Sequence, residues 1–239
     1  MRDWAYNLLR LGLQTSIWGG EIVGLENLRA RGPGVLVANH LDALGPIAVA
    51  AAVPRRLYPW SVAAMLDPRE APEYLRIDFV EKTLHLRPPV SGWLSAVLAR
   101  LSVPLLTSIG SVPVYPDPEG SPRTFALSLE HLLQHRFLLV FPEDPALPVN
   151  PRYKMTPFKK GFARLGEHYF ERTQEVLRFY PVAVHGESRV VQVGQSIAYN
   201  PHNRAAAERL RLKNVLESMI HEMYMALGSA AYVGVTLPQ

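Results

Sequence analysis

Two runs constrain this chain more than any other feature: "GVLVAN" (34–39) and "FLLVF" (137–141) are continuously apolar up to their last residues rather than apolar at alternate positions. A strand with one wet face alternates. A strand without alternation is covered on both faces, the usual lot of strands in a parallel sheet between helix layers. Apolar runs of strand length recur at "LYPWSVAA" (57–64), "SVPVY" (111–115), "LRFYPVAV" (177–184) and "RVVQVG" (189–194), after a short strand and turn in "EIVGLENL". Helical patterns lie between them at 46–53, 92–101, 121–135, 156–172 and 203–227. Ser121-Pro122 and Thr156-Pro157 each read as a cap followed by a proline in the first turn. The stretch 67–90 fits no element cleanly. Alternation of strand and helix predicts an α/β domain with a mixed, mainly parallel sheet of about seven strands flanked by helices.

Length and composition narrow the function classes. The 239 residues suffice for one large domain. The chain has no cysteine, which removes disulfides, thiolate nucleophiles and cysteine metal sites. The formal charge of +4 suits an anionic surface or co-substrate. No Lys/Arg stripe is interleaved with aromatics, so nucleic acid is not an expected partner. The most apolar window, Val97 to Val114, is interrupted by Arg100 and Pro104, and no membrane-spanning helix is expected.

Residues 1–20 read as an amphipathic helix with Trp4, Leu8, Leu11 and Trp18 along one side. It is a candidate membrane-interface element, with docking on the core as the alternative. It lacks the charge and cleavage pattern of a signal peptide. The α/β domain is expected to occupy residues 21–239.

In parallel sheets, sites form beyond the carboxyl ends of strands. Three such ends carry polar groups: Asn39-His40, Tyr115 to Asp117, and Glu143-Asp144. The pieces around them, "GLENL" (24–28), "GPGVLVANH" (32–40), "IGSVPVY" (109–115), "VFPED" (140–144), "TPFKKGFARLGE" (156–167) and "YPVAVHG" (180–186), come in an order that resembles the glycerolipid acyltransferases of the lysophosphatidic acid acyltransferase type. The resemblance covers nearly the whole chain. It implies a glycerol-3-phosphate acyltransferase-like fold and transfer of an acyl group from acyl-CoA or acyl carrier protein to a lipid-related acceptor. It implies no metal or bound cofactor. It also implies phospholipid biosynthesis at the cytoplasmic, inner face of a membrane, with peripheral contact. His40 would be the general base that takes the proton of a weakly nucleophilic hydroxyl.

The family pattern is Asn-His, four residues, then Asp. Asn39 and His40 match, but the aspartate position is Gly45, followed by Pro46. Gly45 reads as a helix N-cap, where glycine is only slightly worse than aspartate. Asp42 is the replacement candidate for orienting His40, since i and i+2 side chains share a side in extended chain. The alternative is an Asx-type turn. The family's phosphate-binding arginines are replaced too. Tyr115-Pro116 follows the "GSVPV" strand, and Glu143-Asp144-Pro145-Ala146 stands for Glu-Gly-Thr-Arg. Substrate-binding candidates are therefore Asn39, Gly45, Tyr115, Glu143, Asp144 and Arg152, the last with Lys154 as a substitute cation. Such a site suits a neutral acceptor better than a glycerophosphate. A catalytically impaired relative that binds lipid or a partner is the alternative. His131 and His135 have zinc-chelating spacing without an evident third ligand. Lys159 and Lys160 are read either as contacts for coenzyme A phosphates or as a solvated helix end.

Overall fold

A computed structural model describes residues 1–41, 44–115 and 121–233. The chain divides into two compact units, one of residues 58–128 with Met1, the other of residues 2–57 and the chain from Leu129 onward. The architecture is α/β, with a mostly parallel mixed sheet flanked by helices.

The larger unit is built on β2 (Gly34–Ala38), which lies between β5 (Phe137–Val140) and β6 (Arg178–His185), parallel to both. β7 (Val190–Val193) runs antiparallel to β6, and β1 (Glu21–Val23) is parallel to β7. The two-residue β8 (Ile197–Ala198) pairs with the start of β6. Period-two geometry sends alternate residues to opposite faces. Leu36, Ala38, Phe137, Leu139, Tyr180, Val182 and Val184 share one core cluster with Ala48, Val49, Ala51 and Ala52 of α2 (Leu44–Ala52) and with Trp18. The intervening residues Val35, Val37, Leu138, Val140, Phe179 and Ala183 are equally buried. On that side the Phe162 ring meets Phe179 at 6.0 Å, and α7 (Ala205–Val233) packs on β6. Both faces are thus covered, as continuous apolar strands require.

The N-terminal helix α1 (Asp3–Leu13) continues into one π-helical segment, Gln14–Trp18. The stripe expected from sequence divides in two. Trp18 is fully buried, whereas Trp4, Leu8 and Leu11 are exposed. Tyr6 turns inward, and its hydroxyl accepts the Leu57 amide at 3.2 Å.

The smaller unit holds β3 (Leu57–Val62) from Tyr58 on, its parallel partner β4 (Val112–Val114), the short α3 (Ala71–Leu75), and α4 (Val90–Ile109). The first turns of α5 (Ser121–Leu133) belong to it. The expected helix at 92–101 is longer at both ends and passes through Pro104. Contrary to the sequence expectation, α4 is long and apolar enough to cross a membrane by length and composition. The helix expected at 156–172 is corrected more sharply. Thr156-Pro157 does not open a helix, and α6 starts at Arg164 and ends at Thr173. Residues 142–159 instead form a hairpin-like loop, with bridges Glu143 to Phe158 and Asn150 to Met155.

At the end of α5, His131 Nδ1 accepts from the Arg136 guanidinium at 3.1 Å. Burial, then the charges of Arg136 and Arg56, push the imidazole down to about 4. The folded state therefore holds His131 neutral where an unfolded histidine is already protonated. Its contribution is whole above pH 6.5 and is lost as pH falls toward 4. His131→Gln should flatten the fall of melting temperature between pH 6.5 and 4; an unaltered slope would contradict this.

Candidate functional site

The site is assembled at the carboxyl end of β2. Asn39 continues that strand with its side chain. Its amide donates to the Val184 carbonyl at 3.0 Å and its Oδ1 accepts the Val184 amide at 2.7 Å, with the residue fully buried. A carboxamide carries a donor and an acceptor on separate atoms, and so matches both backbone groups at once. Asn39, expected to bind substrate, here ties β2 to β6. The chain then emerges, and His40 is exposed.

Glu143 fixes His40 through its backbone. The His40 amide donates to Glu143 Oε1 at 2.6 Å, while Oε2 accepts the Thr156 amide at 2.9 Å and the Thr156 hydroxyl at 3.4 Å. One carboxylate thus joins the ends of β2 and β5 to the returning arm of the hairpin. The Phe141 ring stands edge-on to the imidazole at 5.1 Å. A neutral amide at residue 143 presents one acceptor oxygen, so it must turn its NH2 toward one of these backbone donors. Glu143→Gln should lower unfolding free energy by about 1–3 kcal/mol, read by urea titration. A loss of a few tenths would mean that the clamp contributes little.

Gly45 is not an N-cap. It is the second residue of α2, buried, and its amide donates to the His40 carbonyl at 3.0 Å. That donor is therefore already engaged rather than open to an oxyanion. A Cβ at this position would collide with the His40 carbonyl oxygen. It would also lie 2.6 Å from the His40 carbonyl carbon and 2.7 Å from the Asn39 carbonyl oxygen. The clash is with backbone, so no side chain fits without rebuilding the loop. Asp42, the candidate orienter, lies outside the described residues.

Asp144 carries a charge that is already answered. Its Oδ1 accepts the Ala146 amide at 3.1 Å and meets Lys159 Nζ at 3.1 Å. The Ala146 amide first, and then Lys159, hold its carboxyl below its usual range. Lys159 sits where the hairpin returns, its amide donating to the Pro142 carbonyl at 2.7 Å, rather than at a helix end. Arg152 is exposed, its guanidinium 5.6 Å from the centre of the Tyr153 ring. Tyr153 stacks on His221 of α7 at 4.1 Å with an interplanar angle of 2°. Arg152 therefore tops a stack that docks the hairpin on α7. Tyr115 belongs to the smaller unit, where Arg123 lies 5.7 Å from the centre of its ring.

The sequence matches no protein-family model and no curated protein. What the site can do follows from its own groups. An exposed imidazole with a fixed backbone can accept a proton from an approaching hydroxyl or amine. His185, at the end of β6, is a different case. It is buried, its Nδ1 accepts the Ser188 amide at 3.1 Å, and burial holds its imidazole below the ordinary range. It is a neutral structural histidine. Among the described residues, no three His, Asp or Glu side chains cluster as a metal site. Thr156 and Phe141 are the site residues that sequence reasoning missed. Thr156 lay inside an apparent helix start, and only the pairing of the hairpin arms brings it to Glu143.

Proposed function

We propose that this chain transfers a fatty acyl group from an acyl thioester, acyl-CoA or acyl carrier protein, to a lipid-related acceptor. The fold would be of the glycerol-3-phosphate acyltransferase type, acting peripherally at the cytoplasmic face of a membrane. One observation carries the reading: an exposed His40 at the carboxyl end of a buried parallel strand, its amide held by Glu143 at 2.6 Å. His40 takes the acceptor proton as the acceptor oxygen or nitrogen attacks the thioester carbonyl. The tetrahedral intermediate expels the thiolate, which regains that proton from the imidazolium. An ester or amide and a free thiol result. Tyr115-Pro116 and Pro145-Ala146 replace the resemblance's phosphate-binding arginines, which favours neutral acceptors over glycerophosphates.

Gly45 favours a second reading, a catalytically impaired relative that binds acyl ligands or a partner. No side chain fits at the position where the resemblance expects the orienting aspartate. The deciding experiment measures thiol release from acyl-CoA and from acyl carrier protein, with and without pooled neutral and phosphorylated lipid acceptors. Acceptor-dependent release supports transfer. Thermal stabilisation by acyl ligands without release supports the second reading, and neither effect overturns both.

A further inference from the structure

The helix α4 inverts the usual arrangement of a surface helix. Its buried positions, Ser91, Ser95, Ala99 and Val103, recur every four residues and are small. Ala99 and Val103 pack against Ala71 and Leu75 of α3. The large apolar residues point the other way: Val90 is 52% exposed, Trp93 69%, Leu101 67% and Leu105 38%. With Val97 between them, their spacing places them along one face. A helix covering a water-soluble core keeps its large apolar residues inside and its charges outside. Here the outward face carries a single charge, Arg100.

We propose that this face of α4 docks the protein on an anionic lipid surface, lying in the boundary between headgroups and acyl chains. Charge selects the occupant. From Lys82 to Tyr115 the sequence contains Lys82, Arg87 and Arg100 and no aspartate or glutamate. The nearest carboxylate before this stretch, Glu81, is engaged by Arg76 at 2.7 Å and by the Ser91 hydroxyl at 2.8 Å. Along α4 itself the outward face carries Arg100 and no carboxylate, which complements anionic headgroups. It opposes a second copy, because a twofold contact through this face would bring like charges together. Trp93 suits headgroup depth. Arg100 can lay its stem along the apolar face and keep its guanidinium at the phosphates. Spanning is a poorer solution, because the inward face is held by α3 and cannot be surrounded by lipid. The proposal deepens the lipid-acceptor reading by naming the surface that would meet the acceptor's bilayer, but it rests on the exposure and composition of α4.

The test is flotation of the full chain with vesicles of phosphatidylcholine and phosphatidylglycerol at seven to three, compared with phosphatidylcholine alone. Trp93→Ser combined with Leu101→Ser should lower partition to the mixed vesicles by at least about tenfold. Arg100→Glu, an exposed substitution that spares the fold, should lower it by about fivefold or more and lose the preference for anionic lipid. A companion Trp4→Ser, Leu8→Ser variant separates α1, whose exposed face is the competing anchor. Wild-type-like partition of both α4 variants would overturn the proposal. So would absence of wild-type binding, or a wild-type dimer in size-exclusion light scattering that the α4 variants render monomeric. No thioester is present in this assay. Failed binding therefore leaves acyl transfer to the thiol-release experiment, and failed thiol release leaves docking intact.

Discussion

Gly45→Asp, which rebuilds the familiar histidine–aspartate spacing on paper, should lower the melting temperature by roughly 5–10 °C and give no gain in thiol release. The introduced Cβ meets the carbonyls of His40 and Asn39, both backbone groups that cannot rotate away. Asn39 is anchored to Val184 by two hydrogen bonds, and the His40 amide is anchored to Glu143. Relief requires moving the start of α2, whose Ala48, Val49, Ala51 and Ala52 are packed in the core. Forcing extra atoms into such a place costs about 1–3 kcal/mol. In a domain of this size each kcal/mol lowers the melting point by about 2–4 °C. Gly45→Ala should share most of the loss, since the first carbon makes the collision. Differential scanning calorimetry of both variants decides the matter. An unchanged melting temperature with increased turnover would show that the loop can adopt a geometry in which an aspartate reaches the imidazole.

His40→Ala should reduce acceptor-dependent thiol release by about 10²–10⁴-fold, the range general-base catalysis supplies. The side chain is exposed, and its ring contact is with a partly exposed Phe141. Stability should therefore change by about 0.5 kcal/mol or less, as at most surface positions. The Glu143 clamp holds the backbone amide of residue 40, which alanine retains. Rate and stability are thereby separable at this residue, unlike at Gly45. Release that persists at the wild-type rate would remove His40 from the chemistry. Asp42→Asn in the same assay separates an orienting role, seen as a large rate loss at unchanged stability, from a turn-forming role that leaves the rate alone.

Much of the scaffold was legible because burial leaves a mark in composition. The runs at 34–38, 137–141 and 179–184 are continuously apolar, and they are β2, β5 and β6 within a residue or two. Other parts were hidden for identifiable reasons. Thr156-Pro157 has the local chemistry of a helix start, but Glu143 engages the Thr156 amide and hydroxyl, and the chain pairs as a hairpin instead. Pro104 was read as an interruption of the apolar window, yet α4 runs through it to Ile109 with that proline on its exposed side. His40, Gly45 and Glu143 stood out in sequence as residues. The hydrogen bond from His40 to Glu143, and the carbonyls that crowd Gly45, arise from tertiary approach and leave no local trace.

The position of β2 between β5 and β6 also sets the order in which the molecule can be made. The ties at the end of β2 reach across 103 residues to Glu143 and across 145 residues to Val184. During synthesis, Gly34–Ala38 leaves the ribosome long before either neighbouring strand exists. Closing such distant pairs is slow, because chain entropy is lost before the contacts form. Until then a fully apolar strand with two open edges waits in the nascent chain, the kind of segment that aggregates or recruits chaperones. For this protein, vectorial folding from the N-terminus is closed to the larger unit. Its centre forms only once β6, about 140 residues further along the chain, has been delivered.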